Sequence, residues 1–118
     1  MTNDSAVTES VVNTHLKAFL ERKGIAAIVA DFAEHARLLT EARIYRGKDK
    51  IHEFYVDFIA SLPADAIERF SPLSMQVDGD VAIITWHVGS DIPLGTDTFV
   101  VNDGKIVTQT FVMHAAAA

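Results

Sequence analysis

The chain has no cysteine, which removes disulfides, thiolate nucleophiles and cysteine-ligated zinc at once. Concentrated positive charge is also missing: 16 acidic residues stand against 10 basic ones, for a net charge of −6, and no basic cluster is longer than a pair. Phosphate backbones are held by clustered Lys and Arg, so nucleic acid is not expected as a partner. No apolar run approaches the roughly 20 residues that a spanning helix needs, so no membrane association is expected either. Met1 to Ser10 contains Asp4 and Glu9 but no Lys or Arg. That is unlike the basic-then-apolar layout of a secretory leader, and a cytoplasmic protein is the expectation. No His-x-x-x-His or Glu-x-x-His pair, no phosphate loop and no Gly-x-Ser-x-Gly elbow occurs, so neither a metal, a cofactor nor a serine nucleophile is expected.

What is present points to one folded unit. The 118 residues are 49% apolar and 22% charged, ordinary for a single globular domain, here with a core over about residues 8–114 and a frayed end at Ala115–Ala118. Val12, Leu16, Phe19 and Leu20 recur at helical spacing until Gly24 interrupts them. Ile25, Ile28, Val29 and Phe32 make a second, shorter stripe. Leu38-Leu39 and Ile44-Tyr45, with polar residues between, predict two short strands or an extended hairpin. Ile51, Phe54, Tyr55, Phe58, Ile59 and Leu62 form the broad face of a third helix that Gly47 opens and Pro63 stops.

From Ile67 onward the period is two. Asp78-Gly79 and Asn102-Asp103-Gly104 mark hairpins between Leu73–Val77 and Val81–Val88, and between Thr96–Val101 and Lys105–His114. Pro72 predicts a bulge or an edge there. Helices followed by a meander make an α+β layout, with three N-terminal helices packed on a curved antiparallel sheet. Such a sheet curls, and helices covering its concave side leave room for a small apolar ligand. In the last strand Val107, Phe111 and Met113 alternate with Ile106, Thr108, Thr110 and Val112. One set faces the hollow, and the other predicts a homodimer through the sheet.

Three stretches resemble one known family. Val12 to Phe32 with Ala33-Glu34-His35-Ala36 is similar to the two opening helices of the SnoaL-like and ketosteroid isomerase-like group, of the nuclear transport factor 2-like (cystatin-like) superfamily. Gly47-Lys48-Asp49-Lys50-Ile51-His52-Glu53-Phe54-Tyr55 resembles its third-helix opening, and Asp97 to Ile106 its penultimate hairpin; the likeness spans about residues 10–114. The resemblance implies a cone-shaped fold, whereas the superfamily hosts isomerases, cyclases, epoxide hydrolases and non-catalytic modules. It puts Asp97 where ketosteroid isomerases keep a buried acid that donates to the enolate oxygen, and Tyr55 on a tyrosine of the supporting network. Their oxyanion tyrosine corresponds to Leu16, and their proton-transferring aspartate to Thr40, with Glu41 beside it. With those two groups replaced, steroid isomerisation is not implied.

Among individual residues, Asp97 shares the face of Phe99 and Val101, and a carboxyl desolvated there has a raised pKa suited to acid/base work or to a structural bond. Gln109 lies on the face of Val107 and Phe111, to donate to a ligand oxygen or to pair with Asp97. Only one of Trp86 and His87 can face inward. Trp86 extends the set of Ala82 and Ile84, whereas His87 inside would be a proton shuttle beside Asp97. The expected walls are Leu16, Phe19, Phe54, Tyr55, Trp86, Phe99, Phe111 and Met113. His15 is expected at the pocket mouth, His35 at a helix end and His52 on the surface. Two functions fit: a cofactor-independent isomerase or cyclase acting on a small apolar carbonyl or cyclic compound, or a ligand-binding or assembly module without turnover.

Overall fold

The computed structural model describes residues 5–114, and Ala115–Ala118 lie outside the described residues. Helices α1 (Ser5–Leu20) and α2 (Ile25–Val29) lead into strands β1 (Phe32–Thr40) and β2 (Ile44–Arg46). Then come α3 (Lys48–Ser61), a one-turn α4 (Ala66–Arg69), and β3 (Phe70–Asp78), β4 (Val81–Val88), β5 (Ile92–Asn102) and β6 (Lys105–His114). The order is the predicted α+β one. Ile67, where the two-residue period is predicted to begin, instead lies in α4. That turn is held by buried Ala66 and by Arg69, which pairs with Asp65 and with Asp91 of the β4–β5 loop.

The helix ends also differ from expectation, for a local reason. Lys23 N–H donates to the Ala18 carbonyl and Arg22 N–H to that of Phe19, a Schellman closure. Arg22, not Gly24, therefore takes the left-handed conformation (φ 54°), and Gly24 (φ 99°) opens α2. Phe32 continues the apolar spacing of α2 but starts β1, where it pairs with Ile106. His35, expected at a helix end, is an exposed strand residue. At the other end of α1, Thr8 donates to the Gly79 carbonyl at 2.6 Å and the Gly79 N–H donates to Ser5 at 3.0 Å, anchoring the helix to the β3–β4 turn.

The six strands run in the order β2-β1-β6-β5-β4-β3. All neighbours are antiparallel except β1 and β6, which are parallel. β1 reaches β6 across the chain and not through a hairpin, so no tight turn reverses its direction. Register shifts fall between Pro72 and Ser74, Trp86 and Val88, and Val100 and Val101, and along β1–β6 between Phe32 and Arg37. Each extra residue bends its strand and increases the local twist, which is how the sheet becomes concave. Pro72 sits both on an edge strand and beside a bulge, as its missing N–H requires.

The bulge in β6 changes one inference. Val101 pairs with Ile106 and Val100 with Thr108, leaving Val107 unopposed. The inward set is therefore Ile106, Gln109, Phe111 and Met113, and Val107 does not share their face. Helices α1 and α3 cover the concave side over a core that includes Val12, Phe32, Leu38, Ile51, Phe99 and Ile106. The opposite face of the sheet leaves Val81, Ile83 and Val112 exposed. Among the described residues no helix is long and apolar enough to cross a membrane.

Candidate functional site

Asp97 sits mid-strand in β5 and is buried, as the alternation with Phe99 and Val101 requires. Both carboxylate oxygens are engaged: Trp86 Nε1 donates to Oδ1 at 3.0 Å and Gln109 Nε2 to Oδ2 at 2.8 Å. Burial raises the Asp97 pKa to about 7, against the lowering effect of those two hydrogen bonds. Removing water disfavours the charged form, and here that effect outweighs two stabilising donors.

Trp86 reaches Asp97 because of Gly95. The two residues face each other across β4 and β5, and a Cβ at position 95 would lie inside the van der Waals envelope of the indole. The glycine is thus a space requirement, one that permits close approach of side chain to backbone. Trp86 is the inward member of its pair; the partly buried His87 points to the other side, away from the hollow.

Behind Asp97 the polar groups continue inward. Tyr55 of α3 donates its hydroxyl to Gln109 Oε1 at 2.8 Å and lies 3.2 Å from His15 Nε2; His15 Nδ1 is 3.2 Å from the Ile28 carbonyl. His15 is not at the mouth. It is 3% exposed, packed edge-on against Phe32, Tyr55 and Phe99. Burial lowers its pKa to about 4, partly offset by the Ile28 carbonyl. Tyr55 is raised well above its ordinary value by burial and then by the Asp97 charge, with the Gln109 bond acting the other way.

The burial of His15 is legible in its helical spacing. His15 is three residues after Val12 and four before Phe19, so it shares the face of α1 that packs inward.

A cavity of about 30 Å³ adjoins Asp97, room for about two water molecules. Leu16, Phe19, Tyr55, Trp86 and Phe111 of the expected walls line it, joined by His15, expected at the mouth, and by Phe58, Phe70 and Ile84, which are not among the expected walls. Two wider hollows adjoin it. One of about 210 Å³ on the β3 side shares Leu16, Phe70, Ile84 and Trp86. Another of about 380 Å³ shares Phe58 and Phe111 and carries Phe54, Met113, Thr40, Glu41 and Asp57. Phe54 and Met113 are therefore walls of this outer hollow and not of the Asp97 cavity. Phe99 and Gln109 are fully buried, off the walls of all three hollows.

Neither substituted position restores the missing groups. Leu16 puts an alkyl wall beside Asp97. The Thr40 hydroxyl accepts from the Ala42 and Arg43 N–H groups and donates to the Arg43 carbonyl, so it is consumed in the β1–β2 turn. Among the described residues no cluster of three or more His, Asp or Glu side chains could hold a metal ion.

A curved sheet with helices on its concave side and polar groups gathered beneath them defines the nuclear transport factor 2-like class of α+β cones. Within it the chain belongs to the SnoaL-like domain family, whose sequence profile matches residues 12–109. No curated protein matches the sequence. Similar solved structures include a candidate polyketide cyclase of Sinorhizobium meliloti, 24% identical, covering 87% of this chain and 94% of that one, TM-score 0.71. A candidate ketosteroid isomerase of Kribbella flavida is 19% identical over 98% and 84% of the two chains, TM-score 0.72. A nuclear transport factor 2-like protein of unknown function from Burkholderia xenovorans is 14% identical over 96% and 87%, TM-score 0.76. At such identities the likeness carries the fold and not the chemistry.

Proposed function

We propose that the chain binds a small, mostly apolar molecule with a carbonyl or other acceptor oxygen against Asp97, and that Asp97 is the acid/base group of a cofactor-independent isomerase or cyclase. The observation that carries this reading is a buried carboxyl on a cavity wall whose pKa is pushed up to about 7. A group balanced at neutrality can give or take a proton at little cost, the property that acid/base catalysis needs. The aromatic walls favour a ligand without charge. Of the two roles open to Gln109, its amide takes the pairing with Asp97, and with the Tyr55 bond it in this reading supports the acid. Because about 30 Å³ is far below the roughly 300 Å³ of an ordinary ligand pocket, binding requires partly exposed Phe58 and Phe70 to turn and join the hollows. In this reading the protein works in the cytoplasm as a homodimer joined through Val81, Ile83 and Val112.

A second reading, binding without turnover, is favoured by Leu16 and by the commitment of the Thr40 hydroxyl to its turn. Small cyclic ketones, titrated against Trp86 fluorescence between pH 5 and 9, test the first step. Wild-type affinity is expected to fall as pH rises through about 7, while Asp97→Asn binds with no such dependence. Exchange of the ketone's α-protons in heavy water, followed by NMR, separates the readings: exchange lost in Asp97→Asn supports catalysis, and pH-dependent binding without exchange supports the module. Identical affinity and pH profile in both proteins would remove Asp97 from either.

A further inference from the structure

The chain Trp86–Asp97–Gln109–Tyr55–His15–Ile28 draws on six elements, and its hydrogen-bond directions constrain one another. A carbonyl only accepts, so His15 Nδ1, facing Ile28, must carry a proton. Tyr55 has one hydroxyl proton. With that proton given to Gln109 and the Gln109 amide given to Asp97, a neutral His15 turns a bare Nε2 toward a hydroxyl oxygen with nothing left to donate. The group is buried, and an unsatisfied acceptor there is costly.

Two arrangements satisfy every link. In one, Asp97 is a carboxylate and His15 an imidazolium: Gln109 Nε2 donates to Asp97, Tyr55 donates to Gln109, and His15 Nε2 donates to Tyr55. In the other, Asp97 is a carboxylic acid and His15 a neutral imidazole. The carboxyl then donates to Gln109 Oε1, the amide having turned end for end, Gln109 Nε2 donates to Tyr55, and Tyr55 donates to His15 Nε2. Both hold the same number of protons. Remove that proton and His15 Nε2 has no donor; add a second and the Tyr55 proton has no acceptor.

We propose that Asp97 and His15 form a single one-proton unit, coupled through Gln109 and Tyr55, in which His15 is a positioning residue that keeps the acid at Asp97 protonated. The directions of the two pKa shifts, up for Asp97 and down for His15, agree with a unit that resists both losing its proton and gaining another. Burial is the largest cause of both shifts, and no charged neighbour contributes to either. The other influences on Asp97 are Trp86 from β4 and Gln109 from β6, and on His15 the Ile28 carbonyl from α2; Tyr55 of α3 is the one further titratable group between them. An acid role for Asp97 rests on the function proposed above, whereas the coupling does not. Its test needs no ligand, so a failure of the coupling can be told from a failure of the function.

The experiment is a carbon-13 NMR titration of the Asp97 carboxyl in wild type, His15→Phe and Tyr55→Phe. Cutting the chain frees Gln109 to donate permanently to the carboxylate, so the Asp97 midpoint is expected to fall by about one pH unit in each variant, and no further in the double variant. Midpoints within a few tenths of wild type would overturn the coupling. Should the variants fail to fold, nitrogen-15 spectra of wild-type His15 decide. Its Nε2 resonance is expected to move at the Asp97 midpoint, and an imidazole blind to that titration sinks the proposal.

Discussion

Replacing Asp97 by Asn is expected to stabilise the protein at neutral pH, by an amount the site geometry sets. The Asp97 pKa is about 7 in the fold against 3.8 for a free aspartate side chain. A raised folded pKa means that its stabilising contribution is complete below pH about 4 and is lost as pH rises through about 7. At about 1.4 kcal/mol per pH unit, that loss totals about 4 kcal/mol. His15 runs the opposite way: its pKa is about 4 in the fold against 6.5, so its contribution is present above pH 6.5 and is lost as pH falls through about 4. Between these limits the two slopes cancel in wild type. Asn resembles the protonated acid and cannot ionise, so near pH 4 the variant is expected to match wild type. Its advantage then grows by about 1.4 kcal/mol per unit to about 4 kcal/mol at pH 7. Urea unfolding followed by Trp86 fluorescence at a series of pH values gives the difference curve, in which exposed carboxylates common to both proteins drop out. A difference independent of pH would mean that Asp97 ionises normally in the folded state. Both the acid/base reading and the coupling to His15 would then lose their basis.

Three further outcomes follow from packing. Gly95→Ala drives a methyl group into the Trp86 indole; overpacking plus a lost hydrogen bond is expected to cost about 2–4 kcal/mol, with a shifted tryptophan emission, and full stability would mean that the indole has room. Arg22 pays for a left-handed backbone at the end of α1; Arg22→Gly is expected to gain up to about 1 kcal/mol in urea unfolding, because its exposed pair with Glu68 is worth little. Sedimentation tests the sheet-to-sheet dimer: a 12.9 kDa species persisting at high micromolar concentration would contradict it, and Ile83→Lys is expected to release monomer from a real dimer.

Much of the fold was legible because its signals are local. Each hairpin is announced by its own turn residues, with Asp103 and Gly104 both at positive φ, and the face of α3 by six apolar residues at helical spacing. The same period placed Asp97 inward and favoured Trp86 over His87. Where local signals compete, the sequence misled. The apolar spacing of α2 runs unbroken into Phe32, and only pairing with β6 makes that residue a strand. Similarly, the unopposed Val107 looks like a regular member of its strand until the pairing with β5 is known.

By itself, then, the sequence determined the order of the elements other than the one-turn α4, the α+β class and the one acid that must be hidden, because periodicity dictates which side chains leave water together. Tertiary structure decided what that acid meets. Tyr55 and His15 are 40 residues apart, and Tyr55 and Gln109 are 54. No period links helix to strand across such separations; only the bend of the sheet and the tilt of the helices bring them within a hydrogen bond. The size of the hollow was decided at the same level, by how Phe58, Phe70 and Phe111 close over Asp97.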